Sequence, residues 1–240
     1  MQHEFWHQRW QENRIGFHQF MPSPLMVSYF NGLNLKPNSR VFVPLSGKTL
    51  DIRWLLQQGF RVIAVELSQI AVVALIEQLS TDFGFDFEMS EQNNLIRYSH
   101  PQIDIFVGDF FDLTQKQLGQ VDAIYDRAAL IALPYEMRQQ YAQHLIQISQ
   151  AAPQFLISYE YDQGSFEGPP FSVESDEIQQ LYHHVYDIKC LTEQYVDAQK
   201  IKEIILAVKS GYFARKYKHK KHLSLRCFYY CLASLRKVNI

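Results

Sequence analysis

Residues 40–67 read RVFVPLSGKTLDIRWLLQQGFRVIAVEL. Val41–Leu45 is a short apolar run that breaks at Ser46 and Gly47. Thr49–Gln58 carries helical spacing, with Thr49 placed to cap the start and Gly59 to end it. Arg61–Leu67 is a second apolar run with Glu66 at its end. Strand, glycine turn, helix, strand and acid form the layout of a nucleotide-cofactor crevice. The turn admits an adenosyl ligand close to the backbone, and the acid is placed for ribose hydroxyls.

The same alternation continues on both sides. Residues 3–13 are expected to be helical, with Phe5, Trp6, Arg9 and Trp10 grouped on one side, and Leu25–Leu33 is expected to form a second short helix. Ser68 can cap a helix over Gln69–Leu79. Residues 80–102 read as polar and irregular, apart from a short strand at Leu95–Ser99. Further strands are expected at Ile103–Val107, Val121–Tyr125, Phe155–Tyr161 and Tyr186–Gln194, and helices at Tyr135–Ser149 and Ser175–Tyr182. Short strands rich in Val, Ile and Phe alternating with helices predict an α/β fold. It is a doubly wound, mostly parallel sheet with helices on both faces.

The 240 residues and 47% hydrophobic content suit one large domain. Nine basic residues and no acidic ones follow Glu203, whereas residues 1–203 hold 14 basic against 25 acidic groups. The expected division is one domain over 1–203, with residues 1–36 as a helical cover, and a basic tail over 204–240. Three cysteines make no disulfide framework, and Cys227 with Cys231 lacks a second ligand pair, so no metal is expected. The N-terminus has no apolar signal core, and no apolar run is long enough to span a bilayer. A cytoplasmic monomer without a membrane partner is the expectation.

Chemistry narrows the cofactor. Gly47-Lys48-Thr49 invites a P-loop reading, but the glycine required five positions before Gly47 is Phe42, inside a strand, so no phosphate cradle can form. A dinucleotide fingerprint is missing too, because Gly47 stands alone. S-adenosylmethionine carries no phosphate and needs a close backbone, a ribose acid and a polar adenine edge. Gly47 and Glu66 supply the first two, although Glu66 reads equally well as an ordinary acid at a strand end. In GDFFDL after the third strand of the core, Asp109 is placed to accept from an adenine amino group and Phe110 to stack on the ring; a capping Asp with core Phe residues is the alternative. In Tyr125-Asp126-Arg127, Arg127 offers a planar fork for a carboxylate, or a surface ion pair with Asp126.

PLSGKTLDIRWLLQQGFRVIAVELS, GDFFDL, DRAALIAL and EYDQGSFEGPPFSV, with FWHQRWQENRIGFHQ before them, closely resemble the thiopurine S-methyltransferase family, bacterial type. The resemblance covers about residues 4–203, with five separated motifs in the family order. It implies the seven-stranded, Rossmann-like fold of class I methyltransferases and methyl transfer from S-adenosylmethionine to sulfur, or to selenium- and tellurium-containing acceptors. It places cofactor contacts at Trp10, Leu45, Glu66 and Arg127, with Asp109 and Phe110 flanking the adenine. It also makes Phe17 the aromatic over the acceptor and the N-terminal helix a lid. Two departures stand within the matched region: Ser46 where cysteine is usual and Ala128 where glycine is usual, both read as inconsequential. Beyond about Ile204 the chain departs from the family pattern as a changed reading frame or a replaced terminus would, which bears on the last strand and the acceptor side.

The expected reaction is an in-line displacement on the methyl carbon. A heteroaromatic thiol is largely ionised near neutral pH, so no strong base is needed and no catalytic residue is singled out. His18 beside Phe17 either faces the acceptor or only holds the lid backbone. Asp162 either orients the acceptor or makes a turn. The partner is then a small thiol or selenol. A nucleic-acid-binding reading of the basic tail is disfavoured by the acidic body, and a protein that binds the cofactor but is inactivated by its altered tail is the remaining alternative.

Overall fold

A computed structural model describes residues 3–196 and 201–210. In chain order the elements are α1 (His3–Gln11), α2 (Pro24–Tyr29), β1 (Arg40–Pro44), α3 (Leu50–Gln57), β2 (Arg61–Glu66), α4 (Gln69–Phe83), β3 (Glu88–Gln92), β4 (Leu95–His100) and β5 (Ile103–Val107). They continue with α5 (Gln115–Leu118), β6 (Ala123–Arg127), α6 (Tyr135–Ser149), β7 (Gln154–Glu160), α7 (Ser175–Tyr182), β8 (Tyr186–Val196) and β9 (Ile201–Ser210).

The sheet order is β3-β4-β5-β2-β1-β6-β7-β9-β8. Five central strands, β5-β2-β1-β6-β7, run parallel, and β9 is antiparallel to β7. With β8 these make the expected seven-stranded sheet, and the antiparallel hairpin β3–β4 extends it beyond β5. Strand β3 was expected to be irregular. Its sequence, EMSEQ, is exposed at four of its five positions, so no apolar alternation marks it. Helix α4 also runs four residues past the expected end, to Phe83, where Gly84 adopts the left-handed conformation of a C-cap.

Alternation within the strands sorts the core onto two faces. Val41, Val43, Val62, Ala64, Ile103 and Ile105 pack with α2, α3 and α4, while Phe42, Ile63, Val65 and Phe106 pack with α6 and α7. Both faces are covered, which is why these strands read as continuous apolar runs. Caps agree with the sequence: Thr49 accepts from the Asp51 amide and Ser68 from the Ala71 amide.

Strand β9 continues past Glu203 to Ser210 and pairs with β7 from Gln154↔Val208 to Glu160↔Lys202. The basic positions from Arg215 to Lys237, with Cys227 and Cys231, lie outside the described residues. No helix among the described residues is long and apolar enough to cross a membrane.

The chain moves from β1 outward through β2 to β5, then returns to lay β6 on the other side of β1. The carboxyl ends of β1 and β6 therefore flank a topological switch point, the place where open α/β sheets hold ligands.

Candidate functional site

A cavity of about 490 Å³ opens at this edge, within the range of small-molecule pockets. Trp10, Phe17, Leu45, Gly47, Glu66, Asp109, Phe110 and Arg127, all singled out from the sequence, line it. They come from α1 and the segment after it, three strand ends and the turn after β1.

The floor begins at Glu66. Its two carboxylate oxygens accept from the Gly47 amide at 2.7 Å and the Ser68 amide at 2.8 Å. Burial pushes its carboxyl above the ordinary value, and these amides pull against that shift. Gly47 is required on two counts. Its φ is +53°, and a Cβ there would lie 3.2 Å from the Trp10 ring, which sits on the turn. Trp10 in turn meets Phe17 edge to face at 5.6 Å, and Trp6 meets Phe17 at 5.8 Å. Trp6 and Trp10 of α1, with Phe17 from the segment after it, thus form one aromatic wall of the cavity.

Backbone strain sits at both strand ends. Leu45 after β1 has φ +46° and Ala128 after β6 has φ +61°. A non-glycine residue in this region costs about 1–2 kcal/mol. Alanine at position 128 therefore carries a backbone cost that a glycine, free to adopt this conformation, would not.

Arg127 and Asp126 do not form an ion pair with each other. Adjacent residues of a strand point to opposite faces. Arg127 Nη1 reaches Asp51 Oδ2 at 3.4 Å, with the two side chains only 9% and 2% exposed. Asp51 also accepts from the Ser23 amide at 2.6 Å and from the Tyr125 hydroxyl at 2.9 Å. Asp51 is thus the fixed anchor of Arg127. It escaped sequence reasoning because an acid in a helix's first turn is ordinary dipole compensation. Asp126 lies below the cavity, accepting from the Tyr141 hydroxyl at 2.7 Å, the Leu130 amide at 3.2 Å and Gln154 Nε2 at 3.3 Å.

Burial pushes the Asp126 carboxyl up to about 6 in spite of those hydrogen bonds. The folded chain then holds a proton that the unfolded chain releases near pH 4. Asp126 should thus cost stability as pH rises from about 4 to about 6, with a slope approaching 1.4 kcal/mol per pH unit. In urea titrations, Asp126→Asn should be free of that component. A wild-type minus variant difference that stays flat across the window would refute the assignment.

Asp109 caps the short turn after β5 through the Phe111 amide, and its Oδ2 lies 3.0 Å from His3 Nε2 on α1. Helix α1 is therefore joined to the strand edge. Phe110 is buried, stacked near Phe42 at 6.5 Å and close to Tyr141 at 4.9 Å, so its ring is part core and part cavity wall. His18 lines the cavity beside Phe17. Burial pushes its imidazole below the ordinary value, and the charges of Lys48 and Arg127 push the same way. Asp162 makes a local turn, accepting from the Gly164 amide at 3.0 Å. Tyr159, Phe166, Pro169 and Pro170 complete the lining. No group of three or more metal-ligating side chains is present among the described residues.

The family model for Thiopurine S-methyltransferase matches residues 1–217. The chain is 73% identical over 202 residues to the thiopurine S-methyltransferase of Acinetobacter baylyi, covering 84% of this chain and 93% of that one. It is 48% identical over 192 residues to that of Xanthobacter autotrophicus, covering 80% and 88%. Among solved structures, a Burkholderia thailandensis 1,6-didemethyltoxoflavin-N1-methyltransferase with bound 1,6-didemethyltoxoflavin and S-adenosylhomocysteine aligns with TM-score 0.60. It is 14% identical and covers 87% of each chain. The magnesium protoporphyrin IX methyltransferase of Synechocystis with bound S-adenosylmethionine aligns with TM-score 0.58 at 15% identity, covering 78% of this chain and 77% of that one. At such identities these structures speak to the fold alone.

Proposed function

The chain belongs to the thiopurine S-methyltransferase family, and from that premise we propose that it methylates the sulfur of a thiopurine or a related small thiol using S-adenosylmethionine. The observation that carries this reading is the convergence of Gly47, Glu66 and Arg127 on one cavity closed by Trp10 and Phe17.

The residues present fit the cofactor. The bare Gly47 backbone admits a close approach, and Glu66 faces the cavity as the acceptor for ribose hydroxyls. Arg127, anchored by Asp51, offers its fork to an amino-acid carboxylate. Trp10 covers that half, Leu45 shapes the turn, and Asp109 with Phe110 borders the adenine side. S-adenosylmethionine would supply an electrophilic methyl carbon on a sulfonium. Phe17, His18 and the Phe166–Pro170 wall form the acceptor half, where an aromatic heterocycle stacks and water is excluded. Catalysis is then positioning and desolvation, without an assigned general base. Selenium- and tellurium-containing acceptors, soft nucleophiles like a thiolate, suit the same displacement. The domain is taken as residues 1–203 with the strand that continues from it, and a cytoplasmic, monomeric enzyme is the simplest setting.

A transfer assay with labelled cofactor across thiopurines, selenite and tellurite tests the activity; transfer to none of them would refute it. Phe17→Ala should raise the KM of the acceptor at least several-fold while moving that of the cofactor little. The opposite pattern would move Phe17 out of the acceptor half.

A further inference from the structure

We propose that Lys48 is a specificity-determining residue that holds the methyl acceptor as an anion, favouring thiolates over un-ionised thiols. The inference rests on the acceptor half described above.

The acids that line the cavity are engaged: Glu66 by two backbone amides, and Asp109 by His3 and the Phe111 amide. Among the cations, Arg127 is paired with Asp51. Arg9 lies over the Phe5 ring at 4.9 Å and donates to the Arg14 carbonyl at 3.3 Å. Arg9 has no carboxylate partner either, but those two contacts hold it against its own N-terminal segment; Lys48 is placed differently. It lines the cavity directly after the turn glycine, and no carboxylate among the described residues pairs with it. Its charge reaches the imidazole of His18, and His18 follows Phe17 in the chain, so Lys48 acts on the acceptor half. With Arg127 committed to the cofactor carboxylate and Arg9 held by Phe5 and the Arg14 carbonyl, Lys48 is the cation among the described residues that stands ready for an anion.

The chemistry needs that anion. In the displacement, a lone pair on the acceptor sulfur forms the new S–CH3 bond. The bond from that methyl carbon to the sulfonium breaks, and its electron pair stays on the departing sulfur. An anion and a cation become two neutral thioethers, and no proton has to leave. A neutral thiol would first have to lose its proton to a base, and with both acids at the cavity engaged by donors that leaves the half-buried His18 imidazole, whereas an anion reacts directly. Because the acceptor's charge is consumed in the transition state, a fixed cation stabilises the bound anion more than the transition state. It therefore acts on acceptor binding rather than on the chemical step.

The test uses the full chain and two acceptors: a thiopurine, and a small aliphatic thiol that is un-ionised at the assay pH. Lys48→Gln should raise the KM of the thiopurine roughly 5- to 30-fold, with a much smaller change in kcat and in the aliphatic thiol's KM. In a dead-end complex with S-adenosylhomocysteine, the near-ultraviolet absorption of the bound thiopurine should shift from the thiolate form toward the protonated form. Lys48→Arg, which keeps the charge, should recover both readouts. An unchanged thiopurine KM and spectrum, or equal losses for both acceptors, would overturn the role of Lys48 while leaving the methyltransferase reading intact. Failure of the wild-type protein to methylate either thiol, with cofactor binding shown by calorimetry, would overturn both.

Discussion

Asp51→Ala should destabilise the protein by about 3–5 kcal/mol, the cost of removing one partner of a buried ion pair. The carboxylate is almost fully enclosed and serves three donors at once: the Ser23 amide, the Tyr125 hydroxyl and Arg127 Nη1. Alanine would leave each of them without its acceptor, and Arg127 would become an uncompensated charge in a largely dehydrated setting. The loss should show as a lower urea midpoint at unchanged slope. The variant should also bind S-adenosylmethionine more weakly, because the guanidinium loses the group that aims it. Asp51→Asn, which keeps an oxygen acceptor, should lose less stability. A midpoint within the range of ordinary surface substitutions would mean that Asp51 anchors nothing.

Glu66→Gln carries the second large effect. Both carboxylate oxygens accept from backbone amides, of Gly47 and Ser68. A glutamine has one oxygen and one NH2 group, so one amide would face a donor. Charged hydrogen bonds of this kind are worth about 1.5–3 kcal/mol each. Cofactor affinity by calorimetry should therefore fall roughly 10- to 100-fold. The turn at Gly47 should loosen as well, because the side chain of Glu66 holds it. Unchanged affinity would remove Glu66 from the site. A loss of affinity with a normal urea midpoint would place its effect on the ligand rather than on the turn.

Local patterning made much of the frame legible. The apolar runs of β1, β2 and β5, the Thr49 and Ser68 caps, and helices α6 and α7 follow from periodicity and capping chemistry that act within a few residues. The hairpin strand β3 was hidden because its polar, exposed residues take their conformation from pairing with β4. The site residues were legible as positions at strand ends, since an open α/β sheet places those ends on the ligand side. Their partners were not. Asp126 and Arg127 are neighbours in sequence, yet one joins Tyr141 and the other Asp51.

By itself, then, the sequence determined the alternation of strands and helices, the lone glycine that excludes a phosphate cradle, and the acid and arginine at two strand ends. These depend on residue type and short spacing. Only the tertiary structure decided that Asp51 anchors Arg127 across 76 positions, that Trp10 rests on Gly47, and that Lys48 has no carboxylate partner among the described residues. The physical reason is that charge pairing and ring contact act over a few ångströms in space, and the sheet brings together groups that the chain keeps far apart.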